Sequence, residues 1–220
     1  QMKRVGFNPQ NGEFKKIYRK AKPGDIEKWQ RYCNSMRLRL AMRISEVSPA
    51  LAKETVEEVM GNPTKYPIME SNDDNAFFWW IGTDPNSYEP MADGYRTRKT
   101  EYCAADVIVD HMNTREDPRR SSYFQPTKES VEAGEPKYVG YTIGAKANAV
   151  ASKYSIWGAR LFTDLAGFSP YMRVAEPWFC VAEASMLGWN TGISAEDAYN
   201  KAVTYSMEEN SVSAEDIADY

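Results

Sequence analysis

Between residues 25 and 48 apolar side chains recur in steps of three and four: Ile26, Trp29, Cys33, Met36, Leu40 and Ile44. That period suits a helix and not a strand. The opposite stripe, Glu27, Arg31, Ser35, Arg39, Arg43 and Glu46, is polar, which predicts one buried and one wet face. Asp25 caps the helix, and Pro23-Gly24 closes the mixed, basic stretch 1–24 before it. Ser48-Pro49 opens a second helix, with Ser at the N-cap and Pro in the first turn. It runs through Leu51, Val56 and Val59 to a stop at Gly61-Asn62-Pro63. So short a link makes the two helices antiparallel neighbours.

A second pair follows near the other end. Helical character returns at Val174, with Pro177 in the first turn and Trp178, Val181, Ala182 and Ser185 on one face, ending at Gly188. Ser194-Ala195-Glu196-Asp197 resembles a capping box with Asp in place of Glu. The helix it opens carries Ala195, Ala198, Ala202 and Tyr205, small enough for close helix approach. Ser213 to Asp216 starts another helix. Between the pairs, 61–102 reads as irregular, a short helix at about 104–112 turns Val107, Ile108 and Met112 inward, and 113–170 is loop-rich with a strand-like run from Tyr138 to Ile143. The expected architecture is mainly α: tetratricopeptide-like helix pairs at about 25–60 and 174–210, flanking a loop-rich insert over 61–170.

Composition narrows the function. A net charge of -4 lacks the basic footprint of a nucleic-acid binder. Arg37, Arg39 and Arg43 read as a solvated or ion-paired helix face. Three cysteines, Cys33, Cys103 and Cys180, cannot all pair internally and form no CxxC, so they read as buried, unreactive thiols. The single His111 cannot build a zinc site. No apolar run approaches the roughly 20 residues of a membrane-spanning helix. No signal peptide is seen, but residue 1 is Gln and the chain reads as trimmed, so native location stays open. No GxSxG, Walker loop, HExxH or GxGxxG occurs, and no cofactor is expected.

Four segments in order resemble one family. KWQRYCNSMRLRLAMRIS from Lys28 to Ser45, extended by Pro49 to Ala52, is the first. Asp73-Asp74-Asn75-Ala76-Phe77 is the second, and Asp106 to Phe124, with Asp117-Pro118-Arg119, the third. AEPWFCVAEASMLGW from Ala175 to Trp189, continuing into Ala198-Tyr199-Asn200 and Tyr205-Ser206-Met207, is the fourth. Together they resemble the SusD/RagB family of nutrient-binding outer-membrane lipoproteins, in its SusD-like branch, across about residues 25–217. The resemblance implies a helical scaffold with tetratricopeptide-like repeats and a carbohydrate site built on loops. It implies a cell-surface, outer-membrane location through an N-terminal lipidated Cys, and a TonB-dependent, SusC-like transporter as partner. Pro177 departs from the pattern, and the lipidated Cys and the N- and C-terminal parts of the family lie outside this sequence.

Aromatics make up 13% of the chain, enough to serve a ligand surface as well as a core. The run Phe77-Phe78-Trp79-Trp80, with Tyr88 and Tyr95 nearby, is the best candidate for glycan contact: a flat indole covers the apolar face of a sugar, and Asp73, Asp74 or Asn75 would bond its hydroxyl rim. The expected ligand-binding residues are Trp79, Trp80, Asp74, Asn75 and Tyr88. In an extended backbone Phe77 and Trp79 would face one way and Phe78 and Trp80 the other. Loop-core packing of the same run is the competing reading, and it is the favoured one for Tyr154 and Trp157. Glu176 and Glu183 share a helix face, which suits ion pairs with Arg37 or Arg39 better than acid–base work. Asp117-Pro118-Arg119 reads as an ion-paired turn. A non-catalytic glycan-binding protein leads. A glycoside hydrolase using Asp73 or Asp74, and a helical-repeat interaction scaffold without small ligand, are the alternatives.

Overall fold

A computed structural model describes residues 25–98, 102–145 and 150–220. The basic stretch 1–24 lies outside them. In chain order the elements are α1 (Ile26–Arg43), α2 (Pro49–Met60), β1 (Ala76–Trp79), α3 (Pro90–Arg98), α4 (Asp106–Thr114), α5 (Arg120–Tyr123), β2 (Phe124–Gln125), α6 (Lys128–Glu132), β3 (Ile156–Trp157), α7 (Ala159–Phe162), β4 (Phe168–Met172), α8 (Ala175–Met186), α9 (Ala195–Glu209) and α10 (Ala214–Asp219). The protein is mainly α, with tetratricopeptide-like helix pairs. β1 neighbours β4, and β2 runs antiparallel to β3 with Phe124 opposite Trp157 and Gln125 opposite Ile156. Two compact units divide the chain: residues 25–78 with Pro170–Glu209, and Trp79–Ser169 with Asn210–Tyr220.

The first unit holds both helix pairs. Asp25 accepts the Lys28 N–H at 3.1 Å, and Pro49 stands in the first turn of α2. In α8, Pro177 falls in the first turn; the helix ends where Gly188 turns to φ +76°, and the Trp189 N–H closes on the Ala184 carbonyl at 3.1 Å. At α9 the Ser194 hydroxyl accepts the Asp197 N–H at 3.0 Å; the Asp197 carboxylate accepts that hydroxyl's own hydrogen at 2.6 Å. α1, α2, α8 and α9 share one apolar core containing Leu38, Val56, Val59, Trp178, Val181, Ala198 and Ala202. Ala198 and Ala202 are fully buried, as close helix packing requires.

The buried face of α1 differs from the expected stripe. Ile26 is 71% and Leu40 56% exposed, and Cys33 and Ile44 also face outward. Trp29, Asn34, Ser35, Leu38, Ala41 and Met42 are buried instead. The reason is a strap at residues 67–70 that α1 must hold. Asn34 donates to the Pro67 carbonyl at 2.9 Å, and the Ser35 hydroxyl accepts the Met69 N–H at 2.9 Å. The Trp178 indole donates to the Met69 carbonyl at 3.0 Å, and the Tyr205 hydroxyl donates to the Glu70 carbonyl at 2.5 Å. Buried backbone needs such partners, so polar residues occupy the inner face and apolar ones are displaced outward. Leu51 on α2 is exposed as well.

The second unit has a smaller core, Ala104, Val109, Met112 and Phe124, with Tyr123, Tyr138 and Trp157 against it. α4 turns Val109 and Met112 inward, while Val107 is 74% exposed and Ile108 is exposed too. Three successive apolar residues on a helix point 100° apart, and a core this small accepts one of them. The expected strand near Tyr138 to Ile143 reduces to one bridge, Ala105 to Tyr141. Helix α3 lies where an irregular chain was expected. Pro90 is its first residue, and the Glu89 carboxylate accepts the Ala92 N–H at 2.7 Å. Proline there marks a helix start. Gly158 lies so close to the Ser122 carbonyl that a Cβ would collide with it, and its N–H bonds Tyr123 O at 2.7 Å. Ser213 caps α10 by accepting the Asp216 N–H at 3.1 Å.

Candidate functional site: a loop-borne aromatic cluster

The FFWW run is the last three residues of β1 and the residue after it. Phe77 is buried, with the Arg173 guanidinium 5.7 Å from its ring centre; Phe78, Trp79 and Trp80 are half-buried. Burial thus drops after Phe77 and does not alternate along the run. Trp79 packs on Phe168 with ring centres 5.3 Å apart, and the Arg160 guanidinium lies 5.1 Å from the other partner's ring centre, that of Phe168. The Trp80 indole N–H donates to Ser169 Oγ at 3.0 Å, and its backbone N–H donates to Gly167 O at 2.9 Å. Each indole is therefore oriented by a neighbour while part of its surface stays open.

The loop beyond Trp80 is tightly bonded. Gly82 N–H donates to Ser87 O at 2.9 Å, and the Ser87 hydroxyl accepts from the Thr83 and Asp84 N–H groups at 3.2 and 3.1 Å. The Asp84 carboxylate accepts the Asn86 N–H at 3.0 Å. Gly82 sits at φ +73° with the Ala166 backbone against it, where a Cβ would not fit. Ile81 at the start of this loop is exposed, and Tyr88 at its end is half-buried, with Arg96 5.6 Å from its ring centre. Such a loop presents Trp80 and Tyr88 from a preformed frame, which lowers the ordering cost of binding. Phe168, Ser169 and Arg160 carry no local sign of this role in the sequence; they lie about 80 to 90 positions away and only topology joins them to the tryptophans.

The polar candidates are in the helical unit. Asp74 is 5% exposed and forms ion pairs with Arg31 at 3.1 Å and Lys28 at 3.9 Å; it also accepts the Glu70 N–H at 2.9 Å. The Arg31 guanidinium is held more firmly charged, first by its hydrogen bond to Glu27 and then by Asp74. Asn75 accepts the Val174 N–H at 2.7 Å, capping the entry to α8, and donates to Asn72 at 3.0 Å. Both side chains are thus committed to the scaffold. Asp73 is exposed, and its carbonyl accepts from Lys28.

The remaining candidates resolve into packing and ion pairs. Glu176 pairs with Arg39 at 3.2 Å, while Arg37 pairs with Glu58 at 2.5 Å. Glu183 is exposed on the same helix. Asp117 and Arg119 form a largely buried pair at 2.5 Å; burial works against Asp117 ionising, but Arg119 outweighs it and holds the carboxyl below its ordinary range. Tyr154 packs edge-on against Tyr141, and Trp157 packs on Phe124. All three cysteines are free; Cys33 is exposed, contrary to expectation, because α1 turns a different face inward. Desolvation, with Glu176 and Glu183 adding, pushes the Cys180 thiol up to about 11, which disfavours the reactive thiolate. Among the described residues no cluster of His, Cys, Asp or Glu is arranged to hold a metal ion, and no helix is long and apolar enough to cross a membrane.

A helix-pair scaffold bearing loop-mounted, half-open aromatics defines a class of helical scaffold protein. The chain belongs to the SusD-like family described as "starch-binding associating with outer membrane", whose model matches residues 21–220. Solved structures agree. A SusD-like protein from Bacteroides thetaiotaomicron is similar at 30% identity and a TM-score of 0.74, over 91% of this chain and 39% of its own. A SusD homolog from Bacteroides uniformis matches at 32% identity and 0.74, over 91% and 39%. A chitin-binding SusD homolog from Flavobacterium johnsoniae matches at 28% identity and 0.73, over 100% and 42%. The chain thus spans about two fifths of the length of these structures. No curated protein matches it.

Proposed function

We propose that this chain is the glycan-gripping portion of a non-catalytic, cell-surface nutrient-binding protein that delivers oligosaccharide to a TonB-dependent, SusC-like transporter. Family membership supports the carbohydrate and the outer-membrane setting, and the Flavobacterium johnsoniae relative is described as chitin-binding. Attachment through an N-terminal lipid and partnership with the transporter belong to the same proposal. The observation that carries the binding reading is the pair Trp79 and Trp80: each half-buried, each packed or bonded to a neighbouring side chain, at the start of a loop braced by its own hydrogen bonds. Trp79, Trp80 and Tyr88 are the proposed ligand contacts. Asp74 and Asn75 hold the helical unit together, since their oxygens are already engaged.

Open aromatic platforms suit capture and release. Affinity is expected between micromolar and millimolar, about 4–8 kcal/mol, strong enough to concentrate a glycan and weak enough to hand it on. A hydrolase would need two carboxylates facing a glycosidic bond, and Asp74 is neutralised by two cations. The test incubates the chain with maltohexaose and with chitohexaose while following tryptophan fluorescence and reducing-end release. Saturable quenching without cleavage is the expected result. Cleavage abolished by Asp73→Asn or Asp74→Asn would overturn it.

A further inference from the structure

The loop-rich unit contains a cavity of about 480 Å³ that shares no lining residue with the tryptophan loop. Gln125, Pro126, Lys128, Glu132, Tyr154 and Ile156 line it. We propose that this cavity is a second saccharide subsite, for one or two residues of a neutral glycan. The inference rests on the glycan reading above and adds a location to it.

The first argument is rigidity. The floor is the β2–β3 ladder, in which Gln125 stands opposite Ile156. Gln125 Nε2 donates to the Trp157 carbonyl at 3.0 Å, which fixes the amide and leaves its oxygen as an acceptor. Between Tyr154 and Ile156, Ser155 is fully buried and pinned three times: its N–H donates to Val139 O at 2.8 Å, its carbonyl accepts from Ala104 at 2.8 Å, and its hydroxyl accepts from Val139 at 3.1 Å. The far wall is α6, capped by buried Thr127, which accepts the Ser130 N–H at 3.2 Å. Ser152 donates to Glu129 at 2.9 Å and ties the turn before Tyr154 to that helix. A cavity framed in this way is largely formed before a ligand arrives, as small-molecule sites usually are.

The second argument is chemical. Tyr154, Pro126 and Ile156 offer apolar surface, and Tyr154 is set at 89° to Tyr141, which holds its ring in place. Around them stand a fixed amide and an exposed pair, Lys128 and Glu132, 3.7 Å apart. Apolar floor with a hydrogen-bonding rim matches the C–H face and hydroxyl edge of a pyranose. Glu132 and the neighbouring Glu129 offset the charge of Lys128 at this rim, so a free carboxylate or sulfate gains little there. Neutral glycans should therefore bind, and acidic ones should not.

The test records ¹H–¹⁵N spectra of the whole 220-residue chain titrated with maltohexaose, with chitohexaose and with a hexamer of galacturonate. The proposal expects a neutral hexamer to shift the amides of Gln125, 127–132 and 150–156, and the shifts to persist in Trp80→Ala. They should fall at least about fivefold in apparent affinity in Tyr154→Ala. Lys128→Ala and Glu132→Ala, on exposed residues, provide variants that leave the fold intact and should weaken binding about two- to threefold. If neutral hexamers shift only the amides around Trp80, the subsite is refuted and the glycan reading stands. If no oligosaccharide shifts either region, both fall. A stronger response to galacturonate than to the neutral hexamers also refutes the subsite as stated.

Discussion

Around α1, α2, α8 and α9 one apolar cluster runs from Trp29 to Ala202, whereas between Trp79 and Ser169 the cluster reduces to Ala104, Val109, Met112 and Phe124 with a few aromatics packed on it. The helical unit takes its stability mainly from burial. The loop-rich unit relies on polar anchors: Ser155 on Val139, Thr127 on Ser130, Asp117 on Arg119. The difference shows how one chain can separate support from display. Packing fixes the helices, and hydrogen bonds fix loops whose aromatics must stay partly open to meet a ligand.

Substitutions can break or sharpen that contrast. Trp178→Ala removes a ring buried in the helical core, along with the bond to Met69 and the cation–π contact from Lys201, whose ammonium lies 3.7 Å from the ring centre. It should cost about 3–5 kcal/mol, measured as the fall in urea-unfolding free energy. Asp117→Asn strips the charge from the pair with Arg119 and should cost about 1.5–3 kcal/mol. Because the native Asp117 carboxyl titrates below its unfolded value, its stabilisation is complete above roughly pH 4. It is lost as pH falls through the lower, folded value. The difference between wild type and Asp117→Asn should therefore shrink on acidification, and a constant difference would remove the charge from the explanation.

Ser155→Ala leaves the Val139 N–H without its acceptor, an expected loss of about 1–1.5 kcal/mol. Hydrogen exchange should speed up at residues 138–156 while α8 and α9 keep their protection. If protection falls equally in both units, the polar-anchor account of the loop-rich unit fails. Ser194→Ala, which uncaps α9, should have the smallest effect, about 1 kcal/mol, read from the thermal midpoint.

Legibility in the sequence followed the same division. The helix pairs could be read because Asp25, Pro49, Gly188 and Ser194 act locally and the period repeats over several turns. The buried face of α1 could not, because Asn34 and Ser35 are inside to bond a strap thirty-odd residues away. In the loop-rich unit, the helix that Pro90 opens read as irregular chain, because the Glu89 carboxylate that caps it gives no periodic signal, and Phe168, Ser169 and Arg160 gave no local sign of meeting Trp79 and Trp80. Asp74 and Asn75 looked like sugar ligands by proximity in sequence, and long-range partners engage them otherwise.

The claim that the open indoles grip a glycan is tested most directly by calorimetric titration of the wild-type chain and Trp80→Ala with the oligosaccharide that quenches fluorescence most strongly. The account predicts at least a tenfold loss of affinity, about 1.4 kcal/mol, in a variant that still unfolds cooperatively. Equal affinity in a folded Trp80→Ala variant would contradict it.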